Sequence, residues 1–219
     1  MAKPNHIAIS LDDISDWCSS KDMDIDEGFQ LFLGNLNKLL ELQTDIKIPI
    51  ITVYLLPENA DKSADFLAFS DCISDFFNNL SANPLITDNK IKISVFGKWY
   101  KLPGKTIESL KNIIESTKDY DVFFANFCVN YDGQEEIVDA CKLIAKQAEI
   151  GKINAEMITK SSIKENIYSS YFMPPDVILI YGERKLSALL LWDSVDSNVV
   201  FADKSFMEFD GKDINKFIE

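Results

Sequence analysis

Apolar residues along this chain fall into two alternating patterns. Short continuous apolar runs occur at His6–Leu11, Ile48–Leu56, Val122–Val129 and Val177–Tyr181, and Ile91–Phe96 alternates with lysine and serine. Such runs predict strands, the continuous ones buried on both faces. Pro49 is tolerated near the start of its strand. Between the runs, apolar residues recur every three or four positions. Glu27–Leu42 carries Phe29, Phe32, Leu33, Leu36, Leu39 and Leu40 on one broad face, and Lys62–Leu80 carries Phe66, Phe69, Ile73, Phe76, Phe77 and Leu80. Both are helices by this spacing, as are Thr106–Glu115 and Glu135–Ala148. Ser162-x-x-Glu165 reads as a capping box opening a short helix that ends near Tyr168. A last helix is expected at Asp210–Ile218, and Asp13–Asp26 reads as a polar loop carrying Trp17.

Strand–helix alternation predicts an α/β fold: a single domain over residues 1–219, with a central, mostly parallel sheet of about six strands flanked by helices. His6–Leu11, Ile50–Leu56, Val122–Val129 and Val177–Tyr181 should be neighbours in it. Ligands of open α/β sheets sit beyond the carboxyl ends of the strands. Two places qualify at once: Asp12, which ends the first strand, and the loop Gly182–Ser187, which follows Val177–Tyr181. After that loop, Leu186–Trp192 is apolar and is expected to return to the core.

The formal net charge of −13 argues against nucleic acid, whose affinity rests on Lys and Arg, and against resting on anionic lipid by electrostatics alone. Arg184 is the only arginine, so a diphosphate would have to be met by lysine, backbone N–H groups or a metal. Cys18, Cys72, Cys128 and Cys141 form no C-x-x-C pair and there is one histidine, so no zinc site follows. Cys128 and Cys141 lie in apolar segments and are expected in the core. With no signal peptide and no apolar run of transmembrane length, the expectation is a reduced, cytoplasmic protein with at most peripheral membrane contact.

The stretch from Pro175 to Trp192 resembles the signature of the cis-prenyltransferases, the family of undecaprenyl diphosphate synthase. Pro175, Asp176, Gly182, Glu183, Leu186, Ser187, Leu190, Leu191 and Trp192 match it. The family's R-T-S is replaced by Ile180-Tyr181, one residue shorter, and its second arginine by Lys185. The opening strand is similar to the family's H-x-A-I-x-M-D-G-N-x-R-W at His6, Ala8, Ile9, Asp12 and Trp17. Asp13, Ile14 and Asp16 stand where its diphosphate loop lies. Thr52–Asn59, Gly97–Pro103 and Asn130–Ile137 resemble three further family motifs, and the family's metal-binding glutamate falls on Asn198. Framework positions are kept, while four family arginines and that glutamate are replaced.

The resemblance implies roles. Asp12 would bind magnesium and serve catalysis. Asn59, Lys185, Ser187 and Trp17 would contact substrate, an isoprenoid diphosphate. The Phe66–Leu80 helix would wall an apolar tunnel, or else its stripe is plain core. Lys98, Lys101 and Lys105 read as a solvated lysine loop. Two functions are open. One is a catalytically degenerate subunit that supports an active homologous prenyltransferase in a hetero- or homodimer, like members of the Nogo-B-receptor type. This chain lacks their R-x-G tail and keeps the aspartate they usually lose. The other is an atypical active prenyltransferase acting on allylic diphosphates, with magnesium at Asp12.

Overall fold

The computed structural model describes residues 3–217. Six strands, β1 (His6–Ser10), β2 (Ile50–Pro57), β3 (Ile91–Phe96), β4 (Phe123–Tyr131), β5 (Val177–Ile180) and β6 (Asn198–Phe201), form one sheet in the order β3-β4-β2-β1-β5-β6. Every pairing is parallel. The four strands expected as neighbours are neighbours. β6 escaped the sequence pattern because its Asn-Val-Val-Phe run is short and half-exposed on the sheet edge.

The helices are α1 (Ile14–Lys21), α2 (Ile25–Asp45), α3 (Phe66–Ser81), α4 (Pro84–Asp88), α5 (Gly104–Thr117), α6 (Gly133–Glu149), α7 (Lys160–Lys164) and α8 (Lys212–Asn215). Strand side chains alternate between faces. Ile7 and Ile9 of β1 join the large core with Phe32 and Leu36 of α2, Phe76 and Phe77 of α3 and Leu110 of α5. Ala8 faces the other way, into a smaller core with Phe96, Cys128, Tyr131, Phe172, Leu189 and Leu190.

Several sequence expectations are corrected. The supposed polar loop Asp13–Asp26 contains α1. Asp13 caps it, its side chain accepting the Asp16 N–H, and Asp22 closes it in the left-handed region. Ile14 and Cys18 give α1 a small buried face. A Cβ on Gly28 of α2 would sit 2.2 Å from Cys18 Sγ, so that glycine is what lets the two helices meet. The capping box is Thr159 with Ser162, three residues earlier than expected, and α7 stops at Lys164. Cys128 is buried as expected, whereas Cys141 is exposed. Leu186 is exposed, and only Leu189 and Leu190 of its segment are fully buried. α8 is shorter than expected, and Ile218 lies outside the described residues. No helix among the described residues is long and apolar enough to cross a membrane.

Candidate functional site

β1, β2 and β5 deliver their carboxyl ends to one edge of the sheet, and two clefts open there. The polar cleft, about 570 Å³, is lined by Asp12, Asp13, Asp16 and Trp17 after β1, and by Gly182, Glu183, Lys185 and Ser187 after β5. The apolar cleft, about 310 Å³, is lined by Phe29 and Phe32 of α2, Leu55 and Leu56 of β2, and Phe66 and Phe69 of α3. Leu11, Asp12, Asp13 and Tyr54 line both. Asp12 therefore stands where a charged head would meet an apolar tail.

The approach of the two chain segments is tight. Gly182 has φ +80°, and a Cβ there would lie 2.5 Å from Asp12 Cβ. Gly182→Ala is expected to cost about 1–2 kcal/mol in left-handed backbone strain alone and to push the Asp12 side chain aside. A urea unfolding midpoint equal to that of the wild type would contradict this.

Asp12 Oδ1 accepts the backbone N–H of Phe206 at 2.9 Å. That segment lies 194 residues away, and nothing in the sequence pattern announces it. Tyr54, also not anticipated, joins the two clefts; its hydroxyl donates to Tyr131 O at 3.1 Å, and burial pushes its phenol pKa upward.

Trp17, Lys185 and Ser187 are thus brought together with Asp12. Asn59 is not; it lines neither cleft and sits at φ +66°, opening a 3-10 turn at Ala60–Lys62. Asn198 is exposed at the amino end of β6, in register with Val177, and also lines neither cleft. The phenylalanine stripe of α3 divides its duties: Phe66 and Phe69 line the apolar cleft, while Phe76 and Phe77 pack on Phe127 in the core. Lys98 is no solvated lysine. Its Nζ lies 3.3 Å from Glu58 Oε1, 2.6 Å from Glu135 Oε2 and 3.9 Å from Asp139 Oδ2. Burial opposes its charge, but the hydrogen bonds to Glu135 and Glu58 outweigh this and hold its pKa above the usual lysine value.

Charge in the polar cleft is lopsided. Asp12, Asp13, Asp16 and Glu183 face one ammonium, that of Lys185, and Lys185 is paired with Glu183, whose carboxyl it holds below the usual range. Arg184 is exposed and bound to Asp203 at 2.8 Å. Among the described residues no three of His, Cys, Asp or Glu converge as a metal cage. Magnesium is commonly held by one or two carboxylates with substrate phosphates completing the shell. Asp12, with Oδ1 already fixed and no protein donor on Oδ2 among the described residues, fits that shared mode.

The family described as "Putative undecaprenyl diphosphate synthase" matches residues 12–219. The tritrans,polycis-undecaprenyl-diphosphate synthase (geranylgeranyl-diphosphate specific) of Thermoplasma volcanium is 31% identical, over 99% of this chain and 85% of its own. An isoprenyl transferase of Streptococcus thermophilus is 29% identical, over 98% and 88%. Lavandulyl diphosphate synthase from Lavandula x intermedia, solved with dimethylallyl diphosphate, superposes with a TM-score of 0.88 at 21% identity, over 98% of this chain and 95% of that one. With the family match spanning nearly the whole chain, and relatives aligned along most of their length, this chain belongs to the undecaprenyl diphosphate synthase family, the cis-prenyltransferases of isoprenoid biosynthesis.

Proposed function

We propose that this chain is a catalytically degenerate cis-prenyltransferase subunit that supports an arginine-complete homologue, working in the cytoplasm with at most peripheral membrane contact. The charge of the polar cleft carries the reading: four carboxylates against one lysine that is already paired. A diphosphate brings several negative charges and is ordinarily met by bidentate arginines or by N–H groups at a helix start. Here the one arginine is engaged outside the cleft, and the start of α1 is filled by the Asp13 carboxylate, which takes the Asp16 N–H at 3.1 Å. A homologous partner would supply the missing cations, and the fold would supply the framework on which it docks.

A second reading rests on a different observation. Asp12 stands at the junction of the polar and apolar clefts, the arrangement an allylic diphosphate needs. In that reading the chain is an atypical active prenyltransferase: Asp12 holds magnesium together with the diphosphate, Phe206 N–H fixes Asp12, and the phenylalanines take the hydrocarbon. Magnesium would supply charge neutralisation of the departing diphosphate.

Asp12→Asn separates the two. The assay is incorporation of radiolabelled isopentenyl diphosphate by the isolated chain, and by its mixture with an arginine-complete homologue. The expected outcome is activity in the mixture only, unchanged by Asp12→Asn. Activity of the isolated chain that disappears in Asp12→Asn would overturn the subunit reading and establish the second.

A further inference from the structure

α2 buries the side-chain amide of Asn35 against the segment that follows β6. Asn35 Nδ2 donates to Phe206 O and to Met207 O, both at 3.0 Å. Lys38 Nζ donates to Asn35 Oδ1 at 3.1 Å, which fixes the way the amide faces. Ser205 Oγ accepts the Met207 N–H at 3.0 Å. The Phe206 ring packs edge-on to Phe32 and Tyr181, with centroids 5.7 and 5.4 Å away. Each contact acts on a single turn, and that turn presents one donor to the clefts: Phe206 N–H on Asp12 Oδ1.

We infer that Asn35 is a positioning residue for Asp12, setting the direction of its carboxylate through the Phe206–Met207 turn. The inference rests on the second of the two readings above, in which Asp12 holds magnesium together with a diphosphate. The physical basis is a chain of two links. A charged acceptor is held best by a donor that is already oriented. A backbone N–H is oriented only as well as the turn that carries it. Here Asn35 holds the two carbonyls that follow, Phe206 O and Met207 O, while the carbonyl of the N–H's own peptide, Ser205 O, accepts the Glu208 N–H at 3.0 Å. Asn35 is 1% exposed, so its bonds face no competition from water. Its grip leaves Asp12 Oδ2 as the oxygen turned to a ligand. The simpler account is that Asn35 only satisfies two buried carbonyls, and the two accounts differ in what they predict at Asp12.

The test uses ¹⁵N-labelled full chain in three forms: wild type, Asp12→Asn, and Asn35→Ser, a small substitution that removes the paired donors and leaves the helix intact. The readouts are the Phe206 amide (its chemical shift and hydrogen exchange) and titration with manganese(II) plus inorganic pyrophosphate. Asp12→Asn should move the Phe206 amide resonance. Asn35→Ser should speed Phe206 exchange by about tenfold while β2 amides stay protected, and should weaken manganese–pyrophosphate binding by about fivefold, the scale of one lost hydrogen bond. A lower unfolding midpoint in Asn35→Ser with Phe206 exchange and binding unchanged would overturn the inference and leave Asn35 purely structural. If the wild type fails to bind manganese–pyrophosphate but Phe206 responds as expected, the reading of Asp12 falls and the positioning by Asn35 stands.

Discussion

Lys98→Met is expected to lower the free energy of unfolding by about 3 kcal/mol, because it removes the most buried cation of the cluster and leaves the largely buried Glu58 with only the exposed Lys101 at 4.0 Å. Lys98 and Glu58 have side chains only 11% and 17% exposed. The turn that carries Lys98 cannot move to relieve them. Gly97 sits at φ +103° with Val129 O 2.5 Å from where a Cβ would be. The Lys98 N–H is bound to Asn130 O, and Asn130 Nδ2 is bound to Lys98 O. Urea unfolding at neutral pH measures the effect, and Glu58→Gln in the same background should recover part of it. A loss under about 1 kcal/mol would mean that water already solvates the cluster, as it does at exposed ion pairs.

Acidification should cost stability of similar size through His6. Burial dominates, and it drives the imidazole pKa down to about 4 against the bond to Met173 O and the nearby Asp193 and Asp176. The ring lies between Met173 O at 2.6 Å and Thr52 Oγ1 at 2.8 Å. Thr52 Oγ1 also accepts Asn126 Nδ2, so its own proton goes to His6 Nε2 and the neutral ring carries its proton on Nδ1. A second proton on the ring would break that chain. The sign follows from the depressed folded value. The unfolded chain takes up a proton near pH 6.5, and the folded chain resists until about pH 4. Stability is therefore whole above pH 6.5 and falls across the interval below it, by about 3 kcal/mol in total. Glu136, whose carboxyl burial raises, pulls the opposite way in part of the same range. The quantity to measure is thus the difference between wild type and His6→Gln in unfolding free energy between pH 7 and pH 4. Parallel pH profiles for the two proteins would refute the assignment to His6.

Strands β1 to β5 and the long helices were legible because their burial repeats at a period that composition exposes. The place of the candidate cleft was legible for the same reason: a parallel sheet fixes where the ends of β1 and β5 meet, and Asp12 and Gly182 do meet there. What escaped depends on partners remote in sequence. α1 looks polar because most of it faces solvent, and only Ile14 and Cys18 are buried. Lys98 reads as a surface lysine until Glu58, just after β2, and Glu135, in the first turn of α6, close on it. Asn59 carries a motif position but lines neither cleft; it only opens the turn whose Ala60 lines the apolar one. The donor on Asp12 is a backbone N–H, which every residue but proline possesses, so no residue type could have marked it.

The strand order has a consequence for the growing polypeptide. Residues up to Tyr131 contain β1, β2, β3 and β4, four adjacent members of the sheet. That half can assemble while later residues are still being added on the ribosome. β5 then joins the open side of β1, and β6 joins β5. Asp12 is made among the first residues, yet its donor arrives 194 residues later. At a synthesis rate of roughly 5–20 residues per second, this carboxylate waits about ten seconds or more for its last contact, exposed on a sheet whose middle strand has a bare edge. Such edges recruit other chains. Early in its life the same edge of β1 that will receive β5 is the place where a nascent copy is most prone to aggregate, and the hydrogen bond that fixes Asp12 is among the last contacts the molecule acquires.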